Sequence, residues 1–306
     1  MFDSEAQAAK IRAMKIRIGF APGIGPSLDG PTFATIVDAL EDVGFDSVWV
    51  PEVMTGANLD PIAALAFAAG RVRKLKLGTQ LILPGRNIYR AARACATLDR
   101  LSSGRLLVTA VPGLETPDEK RALGVPSASR TPLLEANLLA LRALWRGEAV
   151  DGITVDVRPA QTPLEVWMGG NGPKGLERAG RLSDGWIPGF VTIDEAVAGR
   201  ATVIDAAAAA GREISDEHFG ANVLYAREPL SPDAVARLGE RAARVPIGWD
   251  AVRDVISRYV AGGISKFVVR PAVSPATPVQ WSAEITDAAA HLLDLQTPSR
   301  AAANAV

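Results

Sequence analysis

Residues 166–190 read VWMGGNGPKGLERAGRLSDGWIPGF: a short strand, a Gly-Gly-Asn turn, a helix and a second short strand. Val166–Met168 is an apolar run, and Gly169 and Gly170 remove side chains where it ends. Pro173 suits a first helical position, where its missing N–H costs nothing. Leu176, Ala179 and Leu182 form an apolar stripe at helical spacing, with Lys174, Glu177, Arg178 and Arg181 off it. A glycine turn that opens a helix presents free backbone N–H groups and the positive end of the helix dipole, which favours a phosphate. An ordinary strand-to-helix turn has the same local signature, so the segment has to be weighed with the rest of the chain.

Outward from this unit, short β-rich runs alternate with amphipathic helical stretches. KIRIGF (15–20) leads into a helix at 31–43, and DSVWV (46–50) into 60–72, where Asp60 and Pro61 are a cap and a first helical position. KLKLGTQLIL (74–83) precedes a helix at 88–101, and RLLVTAV (105–111) precedes a loop and a helix at 131–147. VWMGG and DGWIP are a fifth and a sixth strand, with helices at 173–182 and 193–211. HFGANVLYAR (218–227) and KFVVRP (266–271) complete eight strands, with helices at 232–244, 249–261 and 281–294. This alternation predicts a single (β/α)8 TIM barrel. The long loop 112–130 and a small hairpin at DGITVDVR (151–158) are insertions after the fourth strand and the fourth helix. No Pro/Gly/Ser-rich linker divides the chain, so 14–295 reads as one domain, with 1–13 and 296–306 as mobile tails.

The 306 residues are 48% hydrophobic and 22% charged, with a net charge of −1. That balance supports a large core and gives no basic excess for nucleic acid. The single cysteine, Cys95, lies in an Ala-rich helical stretch and reads as packing. His218 and His291 are far apart and no Cys/His cluster exists, so no metal site is expected. The polar start is neither a signal peptide nor an anchor, and no apolar run approaches the ~20 residues that span a bilayer. A cytoplasmic protein acting on a small molecule is the expectation. A dinucleotide fold is the rival: Gly23 and Gly25 follow the first strand, and Glu52 ends the second. Leu28 at the third glycine position and Pro26 within the turn count against it. Neither a GxSxG elbow nor a GxxxxGK[ST] loop occurs.

With the strands placed, GFDSVWVPE (44–52), LGTQLILPGRN (77–87), ATLDRLSSGRL (96–106), ALGVP (122–126), ALWRGE (143–148) and VWMGGNGPKGLERAGRLSDGWIP (166–188) together resemble the luciferase-like oxidoreductases. These are (β/α)8 barrels that use FMN or the deazaflavin coenzyme F420, and the chain looks more like the deazaflavin branch. The resemblance implies that Glu52 matches an acidic position near the cofactor ring; a loop salt bridge is the plain alternative. It implies that Thr79-Gln80-Leu81 match a bulge with a non-proline cis peptide, at Gln80–Leu81, under the ring; a buried strand is the alternative. Gly169, Gly170 and Asn171 match the backbone around the phosphate and ribityl tail. Lys174 or Arg178 would reach that tail or simply face solvent, and Gly189 lines the cofactor site. A homodimer is also implied.

Two departures shape the expected chemistry. In sugar-phosphate-oxidising members a His follows the acid of the second strand, where this chain has Val53, and a Glu follows the fourth, where it has Leu114. Alcohol oxidation needs a base near the reacting carbon, so its loss favours reduction of a small unsaturated acceptor. Val53, Met54, Leu114 and Phe190 would form apolar walls, Arg270 would meet an anionic group or a rim carboxylate, and Glu52 is the candidate proton donor if burial raises its pKa. An FMN-dependent monooxygenase and a non-catalytic flavin or deazaflavin carrier are the alternatives.

Overall fold

The computed structural model describes residues 14–23 and 28–297. The tails at 1–13 and 298–306, and Gly25 and Pro26 of the rival glycine turn, lie outside the described residues. Seven strands form one sheet: β1 (Arg17–Phe20), β2 (Ser47–Pro51), β3 (Lys76–Ile82), β4 (Leu106–Val111), β5 (Val166–Met168), β6 (Gly220–Tyr225) and β7 (Lys266–Pro271). The helices are α1 (Gly30–Val43), α2 (Pro61–Arg71), α3 (Ile88–Leu101), α4 (Pro117–Ala122), α5 (Arg130–Arg146), α6 (Pro173–Leu182), α7 (Ile193–Ala209), α8 (Pro232–Leu238), α9 (Trp249–Ala261) and α10 (Pro278–Leu292).

Every pairing is parallel, in the order β5-β4-β3-β2-β1-β7-β6. Because β7 returns beside β1, the order does not reverse around β1 as a dinucleotide fold requires. The expected sixth strand, DGWIP, is not a ladder strand. Trp186 alone is bridged, parallel to Met168 on one side and to Phe219 on the other. Its N–H donates to the His218 carbonyl at 2.9 Å, and its own carbonyl accepts from Gly220 N–H at 2.8 Å. Pro188 has no N–H to extend the pairing, so the segment stays short. It nonetheless joins the two edge strands.

Local signals explain most helix starts. Asp29, Asp60, Asn87 and Thr192 each accept from a first-turn N–H, and Pro follows the cap at 61, 173 and 278. The helix expected over 232–244 is broken instead: α8 stops at Leu238, Gly239 adopts φ 58°, and a 3-10 turn covers Gly239–Arg244. The expected hairpin at 151–158 is a two-residue turn, Asp151-Gly152, with a single antiparallel bridge between Val150 and Ile153. Gln296 and Thr297 pair with β1, Thr297 N–H to the Ile16 carbonyl and the Gln296 Oε1 accepting from Ile18 N–H.

The main core lies between the strands and the helices, and a smaller one fills the ring with Ala21, Trp49, Trp167, Ile187 and Val268. Large rings fit there because glycines face them. A Cβ on Gly78 would collide with the Trp49 indole, and one on Gly185 would lie 2.5 Å from Trp167. Lys266, buried in the ring, donates to Asp46 and to Ser47 Oγ at 2.7 Å. Burial pulls its pKa down to about 8 against the opposing field of Asp46. Asp46→Ala leaves this ammonium buried without its carboxylate. The expected loss in equilibrium urea unfolding is about 3 kcal/mol or more, and an unchanged midpoint would show that the pair contributes nothing.

Candidate functional site

The C-terminal ends of the strands open onto a cavity of about 510 Å3. Its wall takes Ala21 and Gly23 after β1, Glu52 and Val53 after β2, Gln80 from β3 and 111–114 from the end of β4. Gly169–Asn171 follow β5, 187–190 follow Trp186, and Asn222 and Arg270 come from β6 and β7. Of the residues singled out in the sequence, Glu52, Val53, Gln80, Leu114, Gly169, Gly170, Asn171, Gly189, Phe190 and Arg270 converge here.

Five others do not. Thr79 and Leu81 are buried and lie off the cavity wall. Met54 is half exposed and lines a neighbouring cavity of about 520 Å3 that shares Glu52 and Val53. Lys174 is exposed and off the cavity. Arg178 is taken by Glu135 of α5, Nε to Oε1 at 2.8 Å, and Arg181 holds the other carboxylate oxygen. The expected cis peptide is a further correction. The cis bond among the described residues is Thr162–Pro163, so Gln80–Leu81 is trans. β3 pairs without interruption, Gln80 with both Pro51 and Thr109, then Leu81 with Ala110 and Ile82 with Val111. An unbroken ladder supplies nothing to offset the ~2.5–4 kcal/mol that a cis bond costs there.

The glycine turn is shaped by close approach. Gly170 has φ 108°, where side chains are strained, and a Cβ on it would meet Gly175 Cα at 3.4 Å. Its carbonyl accepts the Trp186 indole N–H at 2.9 Å. Gly172 then caps α6 through its backbone: its carbonyl accepts from Gly175 N–H at 2.8 Å and from Leu176 N–H at 3.0 Å, and no side chain accepts from the first turn.

Glu52 is partly buried, its side chain nearly covered, and both carboxylate oxygens are engaged. Oε2 accepts from Ile82 N–H at 2.7 Å, and Oε1 pairs with Arg86. Burial raises its pKa above the ordinary carboxylate value, and Arg86 and the Ile82 amide oppose that shift without cancelling it. The loops that carry Val53 and Leu114 are tied together by Glu119 of α4. Its carboxylate, wholly buried, accepts from Met54 N–H at 3.1 Å and from Thr55 N–H at 3.2 Å. Arg130 completes the brace by donating to the Leu114 carbonyl at 3.0 Å.

Sequence reasoning did not single out Asn222 or Arg241 as site residues. Asn222 donates to the Pro188 carbonyl at 2.7 Å, and a polar residue inside an apolar strand is a readable signal. Arg241, in the 3-10 turn, carries none, because GERAAR looks like any solvated helix face. No group of three or more His, Cys, Asp or Glu that could hold a metal occurs among the described residues. Nor is any described helix long and apolar enough to cross a membrane.

The profile of the luciferase-like monooxygenases matches residues 16–277. The chain belongs to that family. An uncharacterized protein of Mycobacterium tuberculosis is 35% identical over 196 residues, 60% of this chain and 66% of that one, just under two thirds of its length. The F420-dependent glucose-6-phosphate dehydrogenase of Nakamurella multipartita is 28% identical over 193 residues, 56% of each chain. Among solved structures, an F420-dependent secondary alcohol dehydrogenase in complex with an F420-acetone adduct superposes with TM-score 0.75 at 18% identity, over 93% of this chain and 100% of that one. That likeness shows a shared fold.

The bond between Trp186 and Gly170 makes one prediction. Trp186→Phe keeps the ring and removes the indole N–H. Stability should fall by about 1–2 kcal/mol, with faster amide exchange at Gly175 and Leu176, whose N–H groups donate to the Gly172 carbonyl; exchange confined to wild-type rates would show that the turn holds its shape without the bond.

Proposed function

We propose that the protein is a coenzyme F420-dependent oxidoreductase that reduces a small unsaturated acceptor, an enone or imine, at the mouth of a (β/α)8 barrel completed, between β5 and β6, by the segment around Trp186. The observation that carries this reading is the convergence of the Gly169–Asn171 turn, Gln80 and Glu52 on one cavity, in a chain matched to the family over 16–277. The relative that is an F420-dependent dehydrogenase supports the deazaflavin over FMN.

The residues present fit such a cofactor. Gly169 and Gly170 leave space at the cavity wall that a Cβ would narrow, the Gly169 Cβ position being 3.3 Å from the Ile187 carbonyl. The start of α6, where no side chain accepts, would take the phosphate, with Asn171 beside it. When bound, the reduced deazaflavin supplies a hydride, and the C=C or C=N bond that receives it also takes one proton. The chain orients the acceptor and excludes water with Val53, Val111, Leu114 and Phe190. Glu52 can hold that proton, since burial favours its neutral form. Val53 and Leu114 supply no base of their own for a substrate hydroxyl, and Glu52 is bound by Arg86 and the Ile82 amide, which favours reduction over alcohol oxidation. The family's own description keeps a monooxygenase as the second reading, with FMN as its cofactor because a solved Baeyer-Villiger monooxygenase of this fold is in complex with FMN.

Calorimetric titration of the purified protein should show F420 binding more tightly than FMN. Gly170→Val, strained at φ 108°, should weaken F420 binding about tenfold or more. Tighter FMN binding would favour the monooxygenase. Unchanged F420 affinity in the variant would remove the turn from the site.

With Glu52 as proton donor, turnover of an enone panel under reduced F420 should fall as pH rises through its raised pKa, because the ionised form has no proton to give. Glu52→Gln should lower kcat about tenfold and abolish that alkaline fall. A pH profile that survives the substitution would assign the proton to water.

A further inference from the structure

We infer that Arg241 and Arg270, set around the Phe190 ring, form a receptor for an anionic oxygen group on the substrate, so that the acceptor carries a carboxylate or phosphate apart from its reducible bond. This rests on the cavity being the catalytic mouth proposed above.

The two guanidinium groups lie over the same ring, Arg270 Cζ 4.9 Å and Arg241 Cζ 6.0 Å from the Phe190 centroid, and all three residues line the cavity. Neither arginine has a hydrogen-bond acceptor or a carboxylate partner among the described residues. Four other partly buried arginines are paired with carboxylates: Arg86 with Glu52, Arg142 and Arg212 with Asp184, Arg178 with Glu135; Arg241 is exposed, so this contrast bears on Arg270. Glu52 is the one carboxylate on this wall among the described residues, and Arg86 already holds it.

Arg270 is only partly exposed, with its stem against Gly23, so its charge is substantially desolvated. A ring face attracts a cation but accepts none of the directed N–H bonds of a guanidinium, which carries five donors. Two like charges at one ring also repel. An oxyanion between or beside them would take the free donors and neutralise both charges, and planar forks suit carboxylate and phosphate. Arg241 reaches this wall because Gly239 breaks the helix and turns the chain into the 3-10 segment. A cofactor carries an anionic group of its own, and the reading above gives that group the N–H donors at the start of α6 instead.

The test uses 4-oxopent-2-enoate, an enone bearing a carboxylate, its neutral methyl ester, and inorganic phosphate. Each is titrated calorimetrically into wild type, Arg241→Gln, Arg270→Gln and Arg270→Lys, with and without F420. Wild type should bind the acid about tenfold more tightly than the ester and bind phosphate in competition with the acid. Each Gln variant should erase that preference while its F420 affinity stays within about twofold of wild type, and Arg270→Lys should keep part of it. Thermal melting of each variant establishes that it is folded, and Arg270→Lys supplies the second test of that position should Arg270→Gln fail to fold.

Wild type that binds neither anion, with or without F420, would overturn the inference. So would Gln variants that lose F420 affinity yet keep the acid-over-ester preference, which would hand the arginines to the cofactor. Anion binding by wild type that needs both arginines, in a protein that binds no F420, would support the receptor while removing the F420 reading.

Discussion

Trp186 carries the constraint on which the rest of this structure depends. A parallel sheet that curls until its edges face each other leaves unpaired N–H and C=O groups on both unless something lies between. Here that bridge is short: Trp186 pairs with Met168 on one side and Phe219 on the other. The same residue buries its indole against α7, where a Cβ on Gly199 would lie 2.6 Å from the ring, and gives its N–H to the Gly170 carbonyl. Closure of the sheet and the shape of the glycine turn are therefore one problem with one solution. A change that relaxes the closure also relaxes the turn that opens α6.

The interior determines which end of the ring is left for a ligand. Trp49 and Trp167 fill the space that Gly78 and Gly185 vacate, and the Lys266–Asp46 pair with Ser47 closes the end where the strands begin. Polar groups packed this tightly leave a space of about 30 Å3 beside them, hardly room for more than a water. At the opposite end, strand-terminal residues are small or proline-bearing, namely Ala21, Pro51, Pro112, Gly169 and Pro188. They cannot refill the ring, and the cavity results.

Local signals made the helices and most strands legible, because caps such as Asp60-Pro61 and the stripe Leu176, Ala179, Leu182 act within a few residues. The strand-end residues of the site were legible for a related reason: where strands alternate with helices, whatever follows a strand lies at the mouth. What escaped depends on distant partners. Arg178 looks like a residue free to reach a ligand until α5 brings Glu135 to it. The Gln80–Leu81 peptide is held trans by ladders on both sides, which a pattern match to LGTQL does not contain. DGWIP reads as a strand, and only the presence of β5 and β6 limits it to one bridged residue. Arg241 was hidden by a periodic, charged stretch whose continuity ends at Gly239.

Charge is distributed unevenly around the cavity, and this bears on orientation more than on affinity. On the β2–β3 side Glu52 has Arg86 as its partner, Glu119 holds the loop that carries Val53, and Arg130 holds the Leu114 carbonyl. On the β7 side Arg270 and Arg241 have no carboxylate partner among the described residues. β1 alone separates the strands that end in Glu52 and Arg270. A molecule with an anionic end and an apolar reducible end thus meets a field and a hydrophobic wall in different sectors of one mouth, and only one orientation serves both. In the proposed reaction, fixing that orientation before any bond changes would be the protein's part, the hydride chemistry belonging to the cofactor.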